Sequence, residues 1–79
     1  MIRKVIADSE LLAWMNRQLH QDTDFTDCQF TSVTRLVEYD NIGCNWTNPN
    51  LRCSGIPVAV CQAAAAEIAE RARQLFNVA

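Results

Sequence analysis

Leu11, Leu12, Met15 and Leu19 recur at the three-to-four-residue spacing of an amphipathic helix. Asp8-Ser9-Glu10, just before them, offers a capping side chain and early negative charge. The pattern predicts a helix from about Ser9 to His20. Leu12, Met15 and Leu19 form its inner stripe, with Leu11 beside them and Trp14 at the edge. Glu10, Asn16, Arg17 and Gln21 face water. Ile2 to Ile6 fits neither period cleanly and reads as a short strand or as an extension of this helix.

Gln21 to Asp27 is rich in turn formers and reads as a loop. Aromatic and β-branched residues then take over, predicting a long strand over Gln29–Tyr39 and a second over Ile42–Thr47, joined by a two-residue turn at Asp40-Asn41. Directly opposed residues of a hairpin share a face, so pairing Tyr39 with Ile42 sets Val37 opposite Cys44 and Arg35 opposite Trp46. One face then carries Val33, Val37, Tyr39, Ile42, Cys44 and Trp46. Phe30 and Leu36 are left on the polar face, the mark of a bulge, a further layer or a partner surface. Asn48-Pro49-Asn50 ends the strand, and Leu51-Arg52-Cys53 reads as a further short extended piece.

Pro57 suits the first turn of a second helix, over Pro57–Phe76. Cys61, Ala65, Ile68, Ala72 and Leu75 make its inner stripe, Glu67, Glu70, Arg71 and Gln74 its solvated one. The small side chains Ala63–Ala66 admit close approach of a neighbouring element. The fold class that follows is α+β: one domain over residues 1–79, a two-layer helix–β-hairpin–helix (αββα) arrangement, open to a short extra strand. Its expected core is Leu12, Met15, Leu19, Val33, Val37, Cys44, Ile68 and Leu75.

Composition narrows the function classes. Apolar residues make up 49% and glycine and proline contribute two each, which excludes disordered and collagen-like chains. The net charge of −2 gives no general footprint for a phosphate backbone, although six of the seven basic residues are arginine. No run approaches the roughly 20 apolar residues of a membrane span. Asp8 and Glu10 interrupt the apolar run that a secretion signal requires, so a cytoplasmic location is expected.

Four cysteines, at positions 28, 44, 53 and 61, carry the candidate chemistry. None forms the close C-x2-4-C pair of structural zinc sites, so no metal or other cofactor is expected, even with His20 considered as a fourth ligand. Extending the hairpin register sets Cys28 opposite Cys53, but Pro49 is expected to break that ladder first, and cytosolic thiols normally stay reduced. Cys44 and Cys61 read as small core side chains. Cys53 is the candidate reactive thiol, with Arg52 beside it to stabilise a thiolate. Asp22 to Asp27 begins like a calcium loop but lacks its glycine and closing glutamate. Asn45-Trp46-Thr47 matches a glycosylation sequon on a predicted strand and is discounted. With one histidine and no phosphate-binding or nucleophile-elbow motif, catalysis is the weaker expectation.

Gly43-Cys44-Asn45-Trp46, Leu51-Arg52-Cys53-Ser54-Gly55, Pro57, Cys61, Ala72-Arg73 and Phe76-Asn77 together resemble small proteobacterial proteins of the Burkholderia kind, a family with no assigned activity. The resemblance covers the C-terminal half. It implies a bacterial cytoplasmic origin and carries over no catalytic residue.

A two-stranded sheet is marginal alone. The leading expectation is therefore a non-enzymatic interaction module that binds a protein partner or itself, as a homodimer pairing hairpin edges or covering Phe30 and Leu36. The first alternative is a nucleic-acid-binding module using Arg35, Trp46 and Arg52. The second is a thiol-dependent enzyme or redox sensor at Cys53.

Overall fold

The computed structural model describes residues 3–79, apart from the side chain of Asn48. Met1 and Ile2, the latter part of the ambiguous N-terminal segment, lie outside them. The chain runs β1 (Lys4–Ile6), α1 (Asp8–His20), a 3-10 turn (Thr23–Phe25), β2 (Cys28–Arg35), β3 (Trp46–Cys53), α2 (Val58–Leu75) and β4 (Phe76–Val78). The fold is α+β, with two helices, an antiparallel strand pair and a parallel one.

The expected αββα order is thus enclosed by two terminal strands. β1 and β4 pair in parallel, Lys4 with Phe76, Val5 with Asn77 and Ile6 with Val78. The Ala79 N–H extends the ladder to the Ile6 carbonyl at 2.8 Å. α2 stops because Phe76 turns extended, and its N–H still reaches the Ala72 carbonyl. The apolar period switches there from 3.6 to 2, with Val78 buried and Phe76 packed edge-on against Trp14, ring centroids 5.3 Å apart.

Both helices cover the hairpin, α1 against β2 and α2 against β3. Leu11, Met15 and Leu19 form the buried stripe of α1, and Cys61, Ala65, Ile68, Ala69 and Ala72 that of α2. Ala65, Ala66 and Ala69 leave a cleft of about 470 Å³ against Pro49 and Leu51 of β3. The α1 N-cap is Ala7, with no side-chain cap, rather than the Asp8-Ser9 pair. Asp8 instead lies in the first turn, where it meets Arg35 of β2.

The hairpin register is as expected at both ends, with Cys28 opposite Cys53 and Arg35 opposite Trp46. Between them the ladder shifts twice, between Phe30 and Ser32 on β2 and between the partners of Ser32 and Thr34 on β3. The β3 shift contains Pro49, which lacks a donor and is tolerated at a bulge, so the proline bends the ladder without breaking it. Each shift reverses which side chains face inward. Phe30 therefore joins the core at 3% exposure, and Leu51 packs against it, while Trp46 also faces inward.

Four core expectations are corrected. Val37 is fully exposed and Leu75 is exposed, and Leu12 and Val33 are half-buried. The first follows from the turn: there is no two-residue hairpin turn at Asp40-Asn41. β2 ends at Arg35, and residues 36–45 form a loop closed at its neck by the Leu36 N–H to the Asn45 carbonyl, 2.8 Å. Val37, Tyr39 and Ile42 ride on that loop, outside the core.

Candidate functional site

The register brings Cys28 and Cys53 face to face at the base of the hairpin, where they form a disulfide with Cα atoms 4.0 Å apart. Beyond it the Ser54 N–H closes the ladder onto the Asp27 carbonyl at 3.0 Å. Cys61, in the first turns of α2, places its sulfur 3.3 Å from Cys28 Sγ and 3.2 Å from Cys53 Sγ. All three sulfurs lie within 4.8 Å of one another. Cys28 and Cys61 are buried, whereas Cys53 is half-buried. The His20 ring Nε2 lies 2.6 Å from the Cys28 carbonyl, so the end of α1 fastens the same strand end. Cys44 stands apart, buried, with its thiol donating to the Trp46 carbonyl at 3.3 Å.

Cys61 lies beside the Cys28–Cys53 bond, nearly equidistant from its two sulfurs, rather than in line with it, so it is a neighbour of the disulfide and not its attacker, whereas three converging thiolates can hold a soft metal ion. Sequence spacing hid the cluster because strand pairing supplies one partner of Cys53 and a helix turn the other. The readable signals were the register that sets Cys28 opposite Cys53 and the inward position of Cys61 on α2.

The other candidate residues do not converge. Phe30 is core, and its backbone is taken by Asn16 of α1, whose Oδ1 accepts from Phe30 N–H at 2.7 Å and whose Nδ2 donates to the Phe30 carbonyl at 3.1 Å. Asn16 was expected to face water; it occupies the β2 edge instead, which removes that stretch from edge pairing with another chain. Leu36 is half-buried at the loop neck. Arg35 is exposed, bonded to Asp8 and to the Ala79 carbonyl, both at 2.5 Å. Trp46 is fully buried and donates its indole N–H to the Phe76 carbonyl at 3.0 Å, so it offers no face for base stacking. Arg52 is exposed six residues further along β3, roughly 20 Å from Trp46 at strand rise. Adjacent strand residues point to opposite faces, so Arg52 also faces away from the sulfur of Cys53.

The opposite end of the hairpin is held by Asp40. Its Oδ1 accepts from the Ile42 and Cys44 N–H groups, each at 3.0 Å, and its Oδ2 pairs with Arg73 of α2. Desolvation raises the carboxyl pKa, but the backbone donors of Cys44 and Ile42 and the charges of Arg73 and Arg3 outweigh it, and the net shift is downward. Asn45 uses its carboxamide as a strand mimic, donating to the Val78 carbonyl and accepting from the Val78 N–H, both at 2.9 Å. A glycan on Asn45 would forfeit that pair of bonds.

No family model, curated protein or solved structure matches the chain. Among the described residues no helix is long and apolar enough to cross a membrane.

Proposed function

We propose that this protein is a small thiol–disulfide switch, a redox-responsive module centred on Cys53. The observation that carries the reading is a third cysteine thiol within 3.3 Å of both sulfurs of a disulfide that closes the hairpin base. Reduction by a dithiol begins at Cys53, the half-buried member of the pair. The Cys28–Cys53 bond breaks, Cys28 leaves as a thiolate and takes a proton, and a mixed disulfide forms on Cys53. The second sulfur of the reductant then closes its own disulfide and releases Cys53, so two electrons and two protons pass to the chain.

The cytoplasmic, bacterial setting expected from the sequence and its Burkholderia-type resemblance belongs to this proposal, because a disulfide there is transient, whereas in an oxidising compartment it is a permanent staple. Equilibration against glutathione buffers, with free thiols counted by mass after alkylation, tests it. Half-reduction near the cytosolic poise of about −220 to −260 mV supports a switch. A bond that stays closed well below about −300 mV is structural, and the reading fails.

The exposed tip loop favours a second reading, an interaction module. Val37 and Tyr39 stand 103% and 67% exposed on a loop whose backbone is fastened by Asp40, so apolar surface is displayed in a fixed conformation. This moves the expected contact surface from Phe30 and Leu36 to Val37, Tyr39 and Ile42. Concentration-dependent association by light scattering that is lost in the paired V37S/Y39S variant supports self-association through the tip. A monomer at all concentrations removes it.

A further inference from the structure

Cys28, Cys53 and Cys61 come from two strands and a helix, and their sulfurs lie within 4.8 Å of one another. In the oxidised chain only two of the three are bonded, and Cys61 has no role in closing the hairpin. From this geometry we infer that the reduced protein is a metal site: the three thiolates together bind a thiophilic divalent cation of the zinc class, with the fourth position taken by solvent. The inference rests on the switch reading only in requiring that the Cys28–Cys53 bond can be opened.

The packing suits the ion. A zinc–sulfur bond of about 2.3 Å in a tetrahedron sets neighbouring sulfurs about 3.8 Å apart. Cys61 already sits 3.2 and 3.3 Å from the other two sulfurs, and opening the disulfide moves Cys28 and Cys53 outward into nonbonded contact. Small shifts therefore convert a thiol beside a disulfide into a near-equilateral sulfur triangle. The ligands are anchored by the ladder around Cys28 and Cys53, by the His20 ring on the Cys28 carbonyl, and by α2.

Oxidation and metal binding then exclude each other. Reduction adds two electrons and two protons, both from a dithiol, or the electrons from a phosphine and the protons from the water whose oxygen the phosphine takes up. Metal binding displaces the three thiol protons, and affinity rises with pH. Oxidation of the loaded site by a disulfide oxidant reforms the Cys28–Cys53 bond and releases the ion.

The test titrates cobalt(II) into the full chain, reduced with a phosphine under anaerobic conditions, once alkylation and mass measurement of a separate aliquot have confirmed four free thiols. Reduced wild type is expected to show a thiolate-to-cobalt charge-transfer band that equimolar zinc abolishes, while the oxidised chain shows none. C61A keeps both cysteines of the disulfide, so it should still close the bond but lose at least a hundredfold in zinc affinity; C61S repeats the measurement should C61A fold poorly by circular dichroism. C44A should bind as wild type does. Absence of the band in reduced wild type, or its survival in folded C61A or C61S, overturns the metal site while leaving the switch intact. A disulfide that phosphine cannot open overturns both.

Discussion

The two ends of the hairpin are fastened by opposite chemistries. At the base, three sulfurs converge, those of buried Cys28 and Cys61 and of half-buried Cys53, and the strands are joined covalently. At the tip, a carboxylate gathers two backbone N–H groups and an arginine, and leaves Val37 and Tyr39 in solvent. The first closure answers to electrons and the second to protons. Seven residues of strand, roughly 23 Å, separate them, a distance at which mutational effects are usually additive. The base offers chemistry because its groups are close together; the tip offers surface because its polar bonds are satisfied internally.

The largest effect should come from opening the base. The disulfide closes a loop across a separation of 25 residues, for which the chain-entropy relation gives about 3.5 kcal/mol. Reduction, or the C53S variant, is expected to lower the denaturation midpoint accordingly in urea titrations. An unchanged midpoint would show that strand pairing and the cover of α1 and α2 already fix the base.

Asn45→Ala comes next and strikes the join between tip and β4. It strands the Val78 N–H and carbonyl, which Asn45 satisfies at 2.9 Å, at a cost of about 1–3 kcal/mol. Hydrogen exchange should report it locally, with Val78 losing protection while the base amides keep theirs. Gly43→Ala is smaller, about 1 kcal/mol. Gly43 has φ +85°, and an added Cβ would meet Arg3 Nη1 at 3.1 Å, so the variant is strained by conformation as well as by contact.

What could be read in the sequence divides along the same line. The helices were legible because Leu11, Met15 and Leu19 share one face and because Pro57 marks a start; their observed limits differ from the expected ones by a residue or so. The register was legible too, since the pairing that sets Arg35 opposite Trp46 also sets Cys28 opposite Cys53. The two compensating bulges were not, because they leave the register unchanged while reversing which side chains face inward; Phe30 and Val37 were misplaced for that reason and because the tip opens into a loop. β4 was hidden by its continuity with α2, as Phe76 follows the helix with no glycine between. The cysteine cluster was half legible: its strand pair lay in the register, but the third sulfur depends on how α2 docks.

The smallest effect, and the one that best separates the two ends, is the response of the tip to acid. The Asp40 carboxyl titrates below its ordinary value of 3.8 in the folded chain. The unfolded chain therefore takes up that proton first as pH falls, so the stability Asp40 contributes is fully present above about pH 4 and is lost as pH drops through the lowered folded value. Below it, protonated Asp40 no longer attracts Arg73, and the Ile42 and Cys44 N–H groups lose a charged acceptor. Amide shifts of Ile42 and Cys44 should titrate together below pH 4, with a midpoint below 3.8, in oxidised and reduced protein alike. In D40N this titration should vanish and the acid end of the stability curve should flatten, because asparagine keeps an acceptor but no charge to lose. A midpoint that moves when the disulfide is opened would show that the two closures communicate along the ladder, and that the hairpin works as one lever rather than as two independent clasps.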